Sequence, residues 1–213
     1  SRGIADIVTV LRAVCACVRR AGGDPFLFPA MGSHGGATTQ GQVALLKALG
    51  VTEPALGAPL RATMEVVEVG KTEAGMPVYL DRHAAEADAI IAVNRVKSHS
   101  DFSGEYESGL MKMLSVGVGK RMGAEVIHAH GAQGLRAFIV PYARQVIGNA
   151  PVMGGVALLE NEGHRLAQVV ALLAGAIEKE EPALLLRAKE MEPRLPFGEI
   201  DLLIVDRMGK EIS

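Results

Sequence analysis

Apolar residues along the chain follow the two spacings that distinguish helices from strands. Side chains that recur three and four residues apart predict amphipathic helices, and four segments of the chain have this spacing. The first of them ends with charged residues and a Gly-Gly pair, which is typical of a helix terminus. The predicted helices lie at residues 4–23, 33–50, 134–148 and 164–191.

Shorter apolar runs between these helices predict β-strands. The run "ADAIIAVNRV", residues 87–96, is almost continuously apolar, as expected for a strand that is buried on both faces. The segments "MEVVEVG" and "MPVYLD" flank "KTEAG", residues 71–75, and predict a hairpin. Further strands are predicted at residues 24–32, 151–161 and 199–206.

Strands that alternate with helices predict an α/β fold. We expect a mostly parallel sheet with helices on both faces, in a Rossmann-like arrangement, with ligands bound beyond the carboxyl ends of the strands. Residues 1–198 are expected to form one domain, and residues 199–213 to begin a second domain or to cross into it. The chain is therefore expected to be part of a two-domain protein.

Composition narrows the class of protein further. The 213 residues are 49% hydrophobic and 4% aromatic, with a formal net charge of −2. Nucleic-acid binding requires basic patches and, for single strands, stacking aromatic residues, and the sequence offers neither. The only cysteines, Cys15 and Cys17, fit buried thiols in a reducing compartment, and no apolar run reaches the roughly 18 residues of a membrane span. We expect a cytoplasmic protein that does not bind a membrane.

A glycine-rich segment, "GSHGGAT", follows the first predicted strand. Gly32, Gly35 and Gly36 allow a ligand to approach the backbone, and the amides at a helix start favour an anion such as phosphate. The segment lacks the spacing of the established nucleotide-binding loops. It is therefore either a ligand-binding loop or a tight turn that His34 caps.

A basic cluster follows the buried strand in "NRVKSHSDF". Arg95, Lys97 and His99 alternate along the chain, so they share one side if the chain stays extended. Arginine and lysine bind carboxylates, and imidazole transfers protons near neutral pH. The cluster predicts a site that binds an anion or moves a proton.

A lysine among apolar residues stands out in "ESGLMKML". Ser108 and Gly109 open a predicted helix, and Lys112 lies in its first turns. Such a lysine either extends its ammonium group to solvent or occupies a desolvated pocket, where its amine becomes nucleophilic. The sequence alone leaves both interpretations open.

The segment "IHAHG" has His128 and His130 two residues apart. This spacing aligns two ligands on a strand but separates them on a helix, so the pair alone does not define a zinc site. The polar residues together predict a bound cofactor or anion, histidines as acid and base, and a metal as a further option. They leave open a nicotinamide-nucleotide-dependent oxidoreductase and a non-catalytic protein that binds a sugar acid or a nucleotide.

The order and spacing of "SRG", "GSHGG", "KSHSDFSG", "SGLMK" and "IHAHG" resemble the N-terminal catalytic domain of the lactate racemase family. That family carries a nickel-pincer nucleotide, a pyridinium bisthiocarboxylic acid mononucleotide that is tethered through a lysine. The resemblance implies that Lys112 is the tether and that His128 is the nickel ligand. It makes residues 1–198 the catalytic and cofactor-binding domain.

The same resemblance implies roles for other polar residues. His34 and His99 would act as acid and base on opposite faces of the substrate, and Arg2 would bind its carboxylate. Arg95 or Lys97 would hold a second anionic group. The implied cofactor-binding residues are Lys112, Gly32, Gly35, Gly36, Ser108 and Gly109.

The implied enzyme is an isomerase, a racemase or epimerase of 2-hydroxy acids that acts by reversible hydride transfer to the cofactor. Its expected partners are a small-molecule 2-hydroxy acid and the enzymes that build the cofactor, and a homo-oligomer is compatible with the sequence. Two departures from the family concern the substrate. Gly35 stands where better-known members have arginine, and "SDFSGEYE" adds residues after His99.

Overall fold

The computed structural model describes residues 3–100, 102–129, 131–193, 197–198 and 201–206. Arg2 and His130, which the sequence analysis singled out, lie outside the described residues. The described chain is an α/β structure in which helices pack against a small central sheet, so the predicted fold class is confirmed.

The strands form two separate sheets within the described chain. As predicted, β1 (Val66–Lys71) and β2 (Pro77–Asp81) form an antiparallel hairpin. The strands of the central sheet are β3 (Ile90–Arg95), β4 (Val152–Glu160) and β5 (Leu166–Leu173). In the order β3-β4-β5, β3 pairs with β4 in parallel and β4 pairs with β5 antiparallel, so the expectation of a mostly parallel sheet was wrong for the described strands.

Four of the five longer helices in the described chain follow the apolar spacing of the sequence, and the fifth, at residues 120–128, was not predicted. The longer ones are α1 (Ile7–Arg20), α2 (Thr39–Ala48), α6 (Lys120–His128), α7 (Gly131–Asn149) and α8 (Ala174–Met191). The shorter ones are a 3₁₀ turn (Gly35–Ala37), α3 (Glu53–Leu56), α4 (Arg82–Ala85) and α5 (Leu110–Lys112). A π-helical segment, Met113–Gly117, continues α5.

The central sheet is covered on both faces, as the pattern of β4 shows. Ala157 and Leu159 pack into the main core with residues of α7 and α8. Leu158 packs instead with Val10 of α1. Successive residues of a strand point to opposite faces. Burial of all three residues therefore requires helices on both sides of β4.

The prediction of one helix over residues 164–191 was wrong for its first part. Residues Leu166–Leu173 form β5, and the helix begins only at Ala174. The apolar residues of "LAQVVALL" fit either spacing, and antiparallel pairing with β4 provides backbone hydrogen bonds that decide for the strand.

Two predicted strands are also reduced or absent. Residues 24–32 run without a strand ladder except for a bridge between Leu27 and Leu60. The described part of the last predicted strand, residues 201–206, has no regular secondary structure. In both cases the apolar run is present but no neighbouring strand pairs along it, and an apolar run without a partner does not form a sheet.

A buried ion pair joins the hairpin to the glycine-rich segment. The Lys120 Nζ lies 3.1 Å from the Asp81 Oδ2, and it donates to the Gln42 Oε1 at 3.0 Å and to the Pro29 carbonyl at 2.6 Å. Burial lowers the pKa of Lys120, and the Asp81 carboxylate opposes this effect. The Gln42 amide in turn donates to the Gly32 carbonyl at 2.9 Å. Through Gln42, the network therefore holds the glycine-rich turn in place.

Replacing Lys120 by methionine is expected to lower the free energy of unfolding by about 3–5 kcal/mol, because the Asp81 carboxylate would stay buried without its cation. Urea denaturation measures the change. The double variant Asp81→Asn/Lys120→Met should recover most of the loss, and Lys47→Met, at an exposed position, should stay within about 0.5 kcal/mol of wild type. A Lys120→Met variant as stable as Lys47→Met would contradict this role.

Candidate functional site

The segment that leads into Lys112 is held from two sides. The Asn94 Nδ2 of β3 donates to the Gly109 carbonyl at 2.8 Å. From α8, the Glu181 Oε2 accepts from the Met111 amide at 3.0 Å. A Cβ atom on Gly109 would lie 2.5 Å from the Glu181 Oε1, which is closer than real Cβ atoms approach a neighbour. The segment that positions Lys112 therefore requires glycine at residue 109, because a side chain there would overlap Glu181.

Glu181 is unusual because it is an acidic residue with a buried side chain. It is 1% exposed, and loss of hydration raises its pKa to about 7, although the amides of Met111 and Leu110 lower it in part. The carboxylate thus caps the start of the helix that carries Lys112 while being close to protonation at neutral pH.

Ser108 connects the two motifs that the sequence analysis placed in the site. The Lys97 amide donates to the Ser108 carbonyl at 2.9 Å, and the Ser108 amide donates back to the Lys97 carbonyl at 3.2 Å. This antiparallel bridge brings "KSH" and "SGLMK" side by side. Proximity of the two motifs follows from backbone pairing alone.

The side chains of Lys112 and His99 both lie near the ring of Phe102. The Lys112 Nζ is 6.0 Å from the centre of the Phe102 ring, and the His99 ring centre is 4.4 Å from the Phe102 ring centre, with an angle of 32° between the planes. An ammonium group near an aromatic face is attracted to the ring electrons. The structure thus brings the predicted tether and one predicted acid–base residue to the same aromatic side chain.

The backbone of His99 is fixed by a buried carboxylate. The Glu107 Oε2 accepts from the His99 amide at 2.7 Å, and its Oε1 accepts from the Gly104 amide at 3.0 Å and from the Lys189 ammonium at 2.6 Å. Burial alone would raise the pKa of Glu107, but these donors together hold it below its usual range. Glu107 therefore stays ionised and keeps the loop that carries His99 in one conformation.

His128, at the end of α6, is electrostatically coupled to Lys112. Although the residue is exposed, partial loss of hydration lowers the pKa of its imidazole, and the positive charge of Lys112 lowers it further. A histidine must be neutral to bind a metal or to accept a proton. His128 is therefore suited to either role at neutral pH.

The glycine-rich turn that carries His34 contacts the segment after Lys112. The Gly32 amide donates to the Gly117 carbonyl at 3.0 Å, and the His34 carbonyl accepts from the Gln42 side chain at 3.3 Å. The His34 residue is exposed. The turn and the Lys112 segment are thus neighbours through their backbones.

The glycines of this turn are explained by its backbone conformation. Gly32, Gly35 and Gly36 have φ values of 55°, 68° and 65°, which lie in the left-handed region that favours glycine. A Cβ on Gly35 would also lie 2.5 Å from a backbone atom of α2. A role of these residues in cofactor binding stays a prediction.

Arg95 lies on the face of β3 opposite to Asn94 and the Lys112 segment. It forms a buried ion pair with Glu160 at the end of β4, and the Glu160 Oε1 accepts from the Ala5 amide at 2.7 Å. Arg95 and Lys97 line the same small cavity, of about 190 Å³, and Glu160 holds the Arg95 guanidinium there. That His99 shares this side stays a prediction.

Sequence reasoning missed the acidic residues that hold the site. Glu181 lies in the charged segment "EKEEPALLL", where it resembles the solvated face of a helix. Helical spacing from Glu181 nevertheless reaches buried apolar positions on α8, which are Ile177, Leu184, Leu185 and Ala188. An acidic residue on an apolar helical face is the signal that identifies it.

Two classes of feature are absent from the part of the chain that the structure describes. No group of three or more His, Cys, Asp or Glu side chains there could hold a metal ion by itself. In the same ranges, no helix has both the length and the apolar character needed to cross a membrane.

The geometry defines an α/β protein with a polar site built around the end of β3 and the start of the Lys112 helix. A family model described as "Domain of unknown function (DUF362)" matches residues 7–177. Since the match covers most of the chain, the protein belongs to this family.

A solved structure supports the fold. The chain is similar to the lactate racemase apoprotein from Thermoanaerobacterium thermosaccharolyticum, with a TM-score of 0.51 and 12% sequence identity. The alignment covers 67% of this chain and 37% of that chain, so the described protein corresponds to well under half of the racemase. A search of the curated proteins gives no match.

Replacing Gly109 by alanine is expected to destabilise the protein by about 1–3 kcal/mol, because the new methyl group would overlap the Glu181 carboxylate. Urea denaturation measures the change, and Glu181→Ala should reduce the cost of Gly109→Ala by making room. Gly148→Ala is the matched control, since nothing lies within 4 Å of the added methyl group in α7. Equal effects at residues 109 and 148 would contradict the overlap.

The raised pKa of Glu181 predicts a pH-dependent stability. A carboxyl group with a pKa of about 7 in the folded protein, against 4.5 in the unfolded chain, stabilises the fold fully only below pH 4.5. Its contribution is lost as the pH rises to about 7, and the total loss is roughly 3 kcal/mol.

Glu181→Gln removes this titration, so the variant should gain stability relative to wild type as the pH rises from 5 to 8. Urea denaturation at several pH values measures the difference between the two proteins. The adjacent Glu180→Gln, at an exposed position, should show no such trend. A constant difference across the pH range would show that Glu181 does not titrate in this interval.

Proposed function

We propose that this protein contributes the cofactor-binding domain of a racemase or epimerase of 2-hydroxy acids, with a nickel-pincer nucleotide tethered to Lys112. The observation that carries the proposal is that Lys112 and His99 both lie near the ring of Phe102. The positive charge of Lys112 also acts on His128. The likeness in fold to a lactate racemase apoprotein supports it.

The residues present fit such a cofactor. A lysine that is half-buried beside an aromatic ring suits a covalent tether, because its amine lies among the other residues of the site and amines are the nucleophiles of covalent lysine chemistry. His128 suits a single imidazole ligand to nickel, since its lowered pKa keeps the ring neutral. When bound, the pincer nucleotide supplies a site that reversibly accepts hydride from the α-carbon of a 2-hydroxy acid.

The protein's own residues would move the proton and orient the substrate. His99 would take the proton of the substrate hydroxyl, because its backbone is fixed by Glu107 and its ring lies beside Phe102. His34 would exchange the proton on the opposite face. Lys97, next to Ser108, would bind an anionic group of the substrate, and Arg2 its carboxylate.

Arg95 is the weakest member of the predicted substrate-binding set. Its guanidinium is committed to the buried Glu160 carboxylate, and separating such a pair leaves an uncompensated charge. In this proposal Arg95 has a structural role, and Lys97 alone takes the second anionic group.

The proposal is tested by intact-protein mass spectrometry and nickel analysis, on the protein co-expressed with the enzymes that build the pincer. We expect an added mass on the peptide that contains Lys112, with about one nickel per chain. Lys112→Arg should abolish both, because arginine cannot form the tether. His128→Gln should keep the added mass but lose most of the nickel.

Lys47→Arg is the matched control, at an exposed lysine outside the site, and it should retain cofactor and metal. An unmodified Lys112 together with no nickel would sink the racemase proposal. Titration with a nicotinamide nucleotide would then decide between the oxidoreductase and the non-catalytic alternatives.

A further inference from the structure

Among the described residues, no strand pairs with the edge of β3 that faces away from β4, and an apolar groove follows this open edge. The cavity has a volume of about 640 Å³ and lies between α1, the extended segment 26–31 and β3. Side chains from all three walls line it, among them Leu11, Val14, Leu27, Phe28, Ile91 and Val93. The described residues that line it include Met113, which follows Lys112, but none of the polar side chains that the proposed function uses.

The floor of the groove is an edge of the central sheet. The amides of Ile90 and Val96 donate to carbonyls on the β4 side, at 2.8 Å in each case. Since the peptide groups of a strand alternate in direction, the amides and carbonyls of Ile91 and Val93 point to the other side, toward the groove. Such an edge is a template for a further strand.

The chain contains an apolar segment that matches this groove. Residues 201–206, "DLLIVD", expose four consecutive apolar side chains, with exposures of 76% for Leu202, 57% for Leu203, 80% for Ile204 and 49% for Val205. A continuous run of this kind is typical of a strand that is buried on both faces. Left in water, it would also promote association between chains.

The segment can reach the groove. The end of α8 lies beside the end of β3, because the Glu192 Oε1 accepts from the Ser98 amide at 2.8 Å. The eight steps from Pro193 to Asp201 span at most about 28 Å. The six residues of β3 span only about 20 Å, so the segment can lie anywhere along the open edge.

We propose that residues 201–206 bind in this groove as an additional strand on the open edge of β3. The new strand would pair with the backbone of Ile91 and Val93, and its apolar side chains would fill the space beneath α1. The central sheet would then extend toward the segment 26–31. This inference does not depend on the proposed function.

Amide hydrogen exchange of the whole chain, followed by NMR, tests the proposal. In the wild-type protein we expect the amides of Ile91 and Val93 to be protected, and to show nuclear Overhauser contacts to residues 202–205. The variant Leu203→Asp/Ile204→Asp, which puts a charge on each face of the segment, should speed their exchange at least tenfold. The amides of Ala92 and Asn94, which face β4, should not change and so report that the fold is intact.

The control is Leu186→Asp, which changes a 65%-exposed residue of α8 and should leave exchange at Ile91 and Val93 unaltered. A synthetic peptide of residues 199–206 should restore protection in the double variant. Absence of the Overhauser contacts in wild type would overturn the proposal. Protection that appears only together with a dimer in sedimentation would also overturn it, since the strand would then come from a second copy.

Discussion

The contact between the Glu181 carboxylate and the backbone around Gly109 is the constraint on which the candidate site depends. A carboxylate at this depth is costly, and the hydrogen bond from the amide of Met111 offsets part of that cost. On the opposite side, Asn94 binds the Gly109 carbonyl, so the segment is fixed between a strand and a helix. This arrangement fixes the position of Lys112, because Lys112 follows Gly109 within one helical turn.

One helix supports both halves of the site. From α8, Glu181 holds the helix that carries Lys112, and Lys189 holds Glu107, which in turn fixes the backbone of His99. Displacement of α8 would therefore move the lysine and the histidine loop together. The candidate site therefore consists of two segments held by α8, the start of the Lys112 helix and the His99 loop, and not only of the end of a sheet.

Much of this fold could be predicted from the sequence, because the spacing of apolar residues within a short segment is enough to distinguish a helix from a strand. The helix at Ile7–Arg20, the hairpin and β3 all follow from it. β5 could not be predicted in this way, because its eight residues fit both spacings and only β4 decides between them. Long-range pairing is information that a window of the sequence does not contain.

The same distinction applies to the site. Lys97, His99 and the Ser108–Gly109 pair lie within thirteen residues, so their proximity could be inferred from the sequence. The location of Arg95 depends on Glu160, which lies on another strand. For that reason the alternation along the chain could not show that Arg95 is committed to a buried ion pair.

The π-helical segment Met113–Gly117 sets the angle between the two ends of the Lys112–His128 region. A π-turn holds one residue more than an α-turn, and each α-helical residue rotates the chain by about 100°. Loss of a single residue here would let this short helix become regular, and it would rotate Lys112 by about 100° relative to the turn at Val118–Gly119 that separates it from α6. Two relatives could then share "SGLMK" letter for letter and yet present the lysine to different surroundings. The register of this short helix therefore decides the surroundings of Lys112 as much as the motif does.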